Sequence, residues 1–187
     1  METMIRGYMV QLAARFVVED PILSQRFPRP LFSEVRGYQW TIKPSEWVDR
    51  DKLVRIYHAI AEIHAHDERA VYDDLVRCGA AMGGFATGTF LKLILKVLTP
   101  RLFAKKFPDM WARDHQRGRI EIVSVQDTEM VMRFKDMEGY DHFAPVAVGW
   151  GGTALRGMGV RDLEMKVDPW SLAQPTAKEV LIVARWR

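Results

Sequence analysis

The stretch Arg119-Ile-Glu-Ile-Val-Ser-Val125, followed by Gln126-Asp-Thr128 and then by Glu129-Met-Val-Met-Arg-Phe-Lys135, decides the fold class of this 187-residue chain. The outer two segments are rich in β-branched and apolar residues, and apolar and polar positions partly alternate in them, which is typical of β-strands. The three residues between them are few enough for a hairpin turn. The sequence therefore predicts two antiparallel strands in this stretch.

Downstream of the hairpin, the sequence predicts a helix and then two more strands. Residues His142 to Arg156 are mostly small or apolar, and Pro145 is compatible with a helix because it would lie in the first turn. The segments Asp162 to Val167 and Glu179 to Trp186 again show the period of two that strands require. We therefore expect an antiparallel sheet of about four strands, with a helix inserted between the two strand pairs.

Upstream of the hairpin, helical periodicity dominates. Apolar residues recur at helical spacing from Ile5 to Val18, and another apolar stripe runs from Leu53 to Ile63, in a helix that Ser45 or Asp49 could cap. Between these helices, Pro21 to Pro44 contains four prolines. This connector is predicted to be largely irregular, with at most one helical turn.

The longest predicted helical region starts after Arg69 and continues, with at most one break, to Thr99, where Pro100 imposes an end or a kink. A short amphipathic piece from Arg101 to His115 follows, and we expect an interruption at Pro108. Helices followed by a small sheet indicate an α+β fold. The length fits a single domain over residues 1–187, in which the N-terminal helix and the proline-rich connector, residues 1–44, pack on the rest.

Composition excludes several classes of function. Hydrophobic residues make up 48% and charged residues 27%, the balance of an ordinary globular protein. The net charge is only +3, and basic residues alternate with acidic ones, so we expect no nucleic-acid partner. The single cysteine, Cys78, rules out an internal disulfide and favours a cytoplasmic location. The N-terminus resembles no signal peptide, and we expect no membrane span.

Glycines cluster in the segment from Gly79 to Phe90. A phosphate-binding loop requires a preceding strand and a Gly-Lys-Ser or Gly-Lys-Thr ending, and neither is present. A membrane span requires about 20 apolar residues, but Arg77 and Lys92 bound this uncharged stretch. The spacing of Gly79 and Gly83 instead predicts a smooth helix face that a neighbouring element approaches closely. Whether that element fills the space or leaves room for a ligand stays open.

Candidate reactive residues show no catalytic or metal-binding pattern. The five histidines lack the spacing of a zinc site, and we expect them to be solvated, with no metal bound. Cys78 is predicted to be a buried small hydrophobe. His115 follows Trp111 by four residues and lies on the same face if helical, which predicts a half-exposed imidazole at the mouth of a pocket and an indole that covers the core.

The order of these elements resembles a known family. The segments that carry the resemblance are Arg6-Gly-Tyr8, the helix with Gly79, Gly83 and Gly84, Phe107-Pro-Asp-Met-Trp111 with Gly118, and Val183-Ala-Arg-Trp186. Together they resemble an uncharacterised paralogous domain family abundant in myxobacteria. That family is similar in turn to the 4-vinyl reductase domain and to the haem nitric-oxide-binding and Golgi-tethering superfamily. This resemblance implies a fold that encloses an apolar pocket, in a ligand-binding or protein-interaction module rather than an enzyme.

Two functions follow as expectations. The first is a non-catalytic sensory or regulatory domain that binds a small apolar ligand in an internal pocket; the alternative is a protein-interaction module with a filled core, acting by self-association or docking. Fold-level analogy predicts a homodimer. The haem-binding branch carries a Tyr-x-Ser-x-Arg motif that contacts the haem propionates, and this sequence lacks it, so we expect no cofactor. The predicted ligand-binding residues are Met82, Phe85, Phe90, Trp111, His115, Met132, Phe134 and Trp150.

Overall fold

A computed structural model of the chain describes residues 3–86 and 97–187. Its helices are α1 Gly7–Glu19, α2 Leu23–Arg26, α3 Arg29–Thr41, α4 Asp51–Ile63, α5 Glu68–Ala86, α6 Pro100–Asp114 and α7 Phe143–Gly157. Its strands are β1 Met4–Arg6, β2 Trp47–Asp49, β3 Arg119–Val125, β4 Glu129–Lys135, β5 Glu164–Asp168 and β6 Glu179–Arg185. Over the described part of the chain, no helix combines the length and hydropathy needed to cross a membrane.

Strands β3 to β6 form one antiparallel sheet in the order β3-β4-β6-β5. In β4 and β6 every second side chain is buried, and Met132 of β4 lies opposite Ile182 of β6. This alternation places one face of the sheet in the core. The predicted hairpin, the helix between the strand pairs and the α+β class are confirmed.

Helices α5 and α7 pack against each other through glycines. A Cβ atom added to Gly79 would lie 2.7 Å from the carbonyl carbon of Val146, and one added to Gly83 would lie 3.1 Å from Cβ of Thr153. Such short separations mean that a larger side chain at Gly79 has no room unless the helices move apart. The close approach that the glycine spacing predicts is thereby confirmed, and the neighbouring element is α7.

The expectation of an irregular connector from Pro21 to Pro44 was wrong, because residues Arg29–Thr41 form the 13-residue helix α3. Pro28 occupies the N-cap position and Pro30 lies in the first turn, where a missing backbone N–H costs no intrahelical hydrogen bond. Val35 and Tyr38 then bury one side of the helix. The prolines therefore start a helix here instead of preventing one.

The expected interruption at Pro108 is also absent, since α6 runs through it. Pro100 starts this helix at its first position, and the hydroxyl of Thr99 caps it by accepting from the backbone N–H of Leu102 at 3.2 Å. Buried Phe107 and Trp111, on either side of Pro108, anchor both halves of the helix in the core. Tertiary packing offsets the hydrogen bond that Pro108 cannot make. The predicted helical continuation over residues 87–96 lies outside the described residues.

The N-terminal end differs from the expected uninterrupted helix. Ile5 belongs to strand β1, which pairs with β2 through Val48, and α1 begins only at Gly7. Helix α4 begins at Asp51, whose backbone N–H donates to the carboxylate of Asp49 at 2.9 Å. Strand β1 also forms a bridge from Ile5 to His115. This bridge ties the N-terminus to the end of α6, next to the cavity described below.

Candidate functional site

A cavity of about 290 Å³ lies where helices α1, α4, α5, α6 and α7 meet strand β4. Its size is at the lower end of the range for small-molecule sites. The lining is mainly apolar, with a few polar groups. The lining residues are Tyr8, Met9, Leu12, Tyr57, Met82, Phe103, Phe107, Met110, Trp111, Arg113, Asp114, His115, Met130, Met132, Phe134, Phe143, Val146, Ala147, Trp150, Gly151 and Leu155.

Aromatic rings from α6 and α7 form one wall of this cavity. Phe107 is stacked on Trp150 with ring centroids 5.5 Å apart, and Phe103 is stacked on Phe107 at 5.0 Å. Trp111 meets Phe134 edge to face at 5.6 Å. Phe103, Phe107 and Trp111 follow one another at four-residue spacing, so α6 presents them on a single face. Rings held in this way provide flat apolar surface for a ligand.

Methionines supply much of the remaining lining. Met130 and Met132 point into the core from β4, Met82 comes from α5, and Met9 and Met110 come from α1 and α6. Unbranched thioether side chains repack easily around different shapes. The cavity therefore combines a rigid aromatic wall with an adaptable one.

A polar cluster of Tyr8, Arg113 and Asp114 forms part of the cavity lining. The hydroxyl of Tyr8 donates to Oδ2 of Asp114 at 2.8 Å, and the guanidinium of Arg113 contacts both carboxylate oxygens of Asp114, at 3.0 and 2.8 Å. Asp114 is buried. The pKa of the Tyr8 hydroxyl is raised by the burial of Tyr8 and by its hydrogen bond to the Asp114 carboxylate. The one carboxylate and the one guanidinium of the described lining thus neutralise each other.

His115 lies beside this cluster and is buried, at 5% exposure, so the expectation of a half-exposed imidazole was wrong. Its ring lies flat on Trp111 with centroids 3.5 Å apart, although His115 itself is the extended residue that follows the last turn of α6, with its backbone N–H bonded to the Trp111 carbonyl. Its backbone is bridged to Ile5 of β1. Burial lowers the pKa of His115 to about 3, so the imidazole is neutral at pH 7.

The hydrogen bonds of Tyr140 assign the tautomer of His115. The Tyr140 hydroxyl lies 3.2 Å from the carbonyl oxygen of Arg117 and 3.3 Å from Nδ1 of His115. It has a single proton to donate, so both contacts are hydrogen bonds only if the carbonyl accepts that proton and Nδ1 carries its own. The Nε2 atom of His115 is then an acceptor.

Tyr57 of α4 also lines the cavity and carries a buried hydroxyl. The whole side chain is buried, and its hydroxyl donates to the sulfur of Met82 at 3.7 Å. The thiol of Cys78 approaches the same sulfur at 3.9 Å. Cys78 is fully buried, as predicted, and burial raises the pKa of its thiol, which makes it unreactive in the native state.

The structure brings six of the eight predicted ligand-binding residues to the cavity lining: Met82, Trp111, His115, Met132, Phe134 and Trp150. Phe85 does not line it, since its ring lies under the guanidinium of Arg15, 4.1 Å away, between α5 and α1. Phe90 lies outside the described residues. The described residues contain no group of histidine, cysteine or acidic side chains arranged to hold a metal ion.

Sequence reasoning missed Tyr57 and the contributions of α1. The apolar stripe of α4 identifies Tyr57 as a core residue, but nothing in the spacing shows that its hydroxyl lies at a cavity. Tyr8 and Asp114 are 106 positions apart, and their contact depends on how α1 packs against the end of α6. By contrast, the four-residue spacing of Phe103, Phe107 and Trp111 is a signal that could have identified the aromatic wall.

Solved structures with the same fold are H-NOX proteins. An H-NOX protein from S. oneidensis in the Fe(II)NO ligation state superposes with a TM-score of 0.69 at 10% identity, over 98% of this chain and 99% of that one. An unliganded Fe(II) H-NOX protein from K. algicida gives 0.70 at 9% identity, over 98% and 97%. A structure probing haem distortion in the H-NOX family gives 0.67 at 11%, over 98% and 95%.

At these identities the similarity shows the fold alone. No family model matches the chain, and no curated protein is similar enough to match. The H-NOX fold agrees with the predicted haem nitric-oxide-binding superfamily, whereas the assignment to the myxobacterial paralogous family stays a prediction.

Proposed function

We propose that this protein is a non-catalytic sensory or regulatory domain that binds a small apolar molecule in the cavity between α5, α6, α7 and β4. The observation that carries the proposal is the cavity itself, which is large enough for a small molecule and is lined mainly by aromatic and methionine side chains. Close packing is the rule inside proteins, and a void of this size leaves many lining atoms without contacts. A ligand would restore those contacts.

The polar groups of the lining support binding rather than chemistry. Tyr8, Arg113 and Asp114 bind one another, and His115 is engaged with Tyr140. A general acid and base must face a reacting atom, whereas these groups are turned to each other. The fold shared with H-NOX proteins, one of which is described in an Fe(II)NO state, supports a sensory role.

Haem does not fit the residues that line this cavity. The two propionates of haem require cations. Arg113 carries the one guanidinium among the described lining residues, and it is already bound to Asp114. The carboxylate of Asp114 would also repel the propionates. The stacked rings of Phe107 and Trp150 occupy one wall of the cavity. The cavity volume of about 290 Å³ is at the lower end for sites that bind drug-sized ligands, and a porphyrin is larger than such ligands. His115 could ligate iron chemically, but it alone does not make a haem site. We therefore propose a ligand other than haem.

Native mass spectrometry of the protein purified from its own host tests this function. We expect an adduct of small-molecule mass that is released on denaturation, and no Soret band when haem is supplied during expression. The variant Ala147→Phe would fill the cavity from α7 and should lose the adduct, while Ala112→Phe, at an exposed position of α6, should keep it. Circular dichroism checks that both variants fold.

The result that would overturn the proposal is a wild-type protein without any adduct that is also not stabilised by any member of a panel of small apolar compounds. A stable homodimer under those conditions would favour the docking module instead. The exposed indole of Trp40 on α3, 83% accessible, is the feature that would favour such docking. We propose a cytoplasmic location for either activity, because a single free cysteine fits a reducing compartment.

A further inference from the structure

Among the described residues that line the cavity, Tyr57 has a hydroxyl with only a weak hydrogen-bond partner. Tyr57 is 1% exposed, so no bulk water reaches its hydroxyl, and the hydrogen bond described for it goes to the thioether sulfur of Met82 at 3.7 Å. Sulfur is a weak acceptor, and a buried donor without a good acceptor costs free energy. Both residues line the cavity. An acceptor atom on a ligand would satisfy this donor better than Met82 does.

Tyr57 acts only as a neutral donor or acceptor. Burial raises the pKa of its phenol well above the usual value, with smaller contributions from Cys78 and Tyr140, so the proton stays on the oxygen across the physiological range. A neutral phenol donates more strongly to a carbonyl oxygen than to a thioether sulfur. The geometry therefore favours a carbonyl or a similar acceptor over a second hydrocarbon.

The charged groups of the cavity lining, Arg113 and Asp114, restrict the ligand further. The carboxylate of Asp114 is bound by Tyr8 and Arg113, and the His115 imidazole is neutral, so the described lining has no unpaired charge. A charged ligand would be desolvated there without a counter-ion, which is strongly unfavourable. The ligand must therefore be uncharged.

We infer, on the basis of the proposed function, that the cavity takes an uncharged, mainly apolar and preferably aromatic carbonyl compound whose oxygen accepts a hydrogen bond from the Tyr57 hydroxyl. The aromatic wall of Phe103, Phe107 and Trp150 holds the ring of such a compound.

Two probes of nearly identical shape test this inference: acetophenone, which carries a carbonyl oxygen, and α-methylstyrene, which carries a methylene group in its place. Affinities are measured by ligand-observed NMR titration against the wild-type chain. One good hydrogen bond is worth roughly a 3- to 10-fold difference in affinity. In Tyr57→Phe we therefore expect the ratio of acetophenone affinity to α-methylstyrene affinity to fall at least about 3-fold, because the carbonyl oxygen loses its donor while the affinity for α-methylstyrene stays unchanged.

Tyr72→Phe is the matched control, because Tyr72 packs against Trp170 and does not line the cavity. It should preserve the wild-type ratio of the two affinities. A ratio in Tyr57→Phe that equals the wild-type ratio would overturn the inference and leave the proposed apolar site intact. If neither probe binds the wild-type chain, the proposed function fails, and the inference fails with it.

Discussion

Gly79 of α5 and Gly149 of α7 each face the backbone of the other's helix. A Cβ atom on Gly79 would lie 2.7 Å from the carbonyl carbon of Val146, and one on Gly149 would lie 2.7 Å from the backbone nitrogen of Ala80. The two helices therefore meet backbone to backbone, through reciprocal gaps in their side-chain surfaces. Met82 of α5 and Trp150 of α7 are thereby held at the cavity from adjacent helices.

Gly79→Ala and Gly149→Ala should each destabilise the protein, because the new methyl group must push the helices apart. Overpacking of this kind costs roughly 2–3 kcal/mol of unfolding free energy, measured by urea denaturation. Gly37→Ala is the control: no heavy atom lies within 4 Å of its added Cβ, and it lies in α3, so we expect a gain of about 0.5–1 kcal/mol. Equal stability of the Gly79 and Gly37 variants would contradict the close packing.

Arg77→Ala should also be strongly destabilising. Arg77 binds the carboxylates of Asp20 and Asp74, which lie on different parts of the chain and are both buried. Removing the guanidinium leaves the Asp20 carboxylate with backbone N–H donors alone and Asp74 with His64 at 3.6 Å, which we expect to cost roughly 2–4 kcal/mol.

The comparison for Arg77 is Arg69→Ala, eight positions earlier on the same helix. Arg69 pairs with Asp73 at 2.9 Å in an exposed i,i+4 salt bridge, and such pairs contribute at most about 1 kcal/mol. Thermal and urea unfolding of the two variants should therefore differ clearly. A loss at Arg77 no larger than that at Arg69 would show that the buried carboxylates find other partners.

Stability should fall as the pH is lowered from about 7 to 4, because of the buried histidines. Burial lowers the pKa of His115 to about 3 and that of His142 to about 4, below the value of about 6.5 in an unfolded chain. The unfolded state therefore binds more protons in this interval. For His115 alone the loss by pH 4 is roughly 3 kcal/mol, and stability is fully present above about pH 6.5.

The slope of unfolding free energy against pH isolates this effect. Between pH 4 and 6 this slope should be smaller in His115→Gln than in the wild-type chain, by up to about 1.4 kcal/mol per pH unit. The difference in slope does not depend on how the substitution changes stability at pH 7. His66→Gln, at an exposed position, should leave the slope unchanged. An unaltered slope in His115→Gln would mean that His115 is protonated in the folded protein.

Local sequence signals predicted those parts of the fold that depend on neighbours along the chain. The alternation in Arg119–Val125 and Glu129–Lys135, joined by three residues, identified the hairpin, and small residues around Pro145 identified α7. The same reasoning failed in Arg29–Thr41 and at Pro108, where prolines act as helix starters or are tolerated inside a buried helix.

The residues of the candidate site likewise divide into those that the sequence predicted and those that it could not predict. Apolar residues of α5, α6, β4 and α7 were identified because large apolar side chains at periodic positions face a core, and six of the predicted residues line the cavity. The sequence could not show that Phe85 turns toward Arg15, or that His115, whose backbone is bridged to Ile5, is buried.

The sequence by itself determined the α+β class, the sheet, and a glycine face on α5 that another element must approach. Only the tertiary structure decided that α7 is that element, that the Tyr8 hydroxyl donates to Asp114 from 106 positions away, and that Tyr57, whose hydroxyl has a sulfur atom as its partner, lines the cavity. The physical reason is that periodicity records which side of an element is buried, whereas hydrogen-bond partners depend on how distant elements pack against each other.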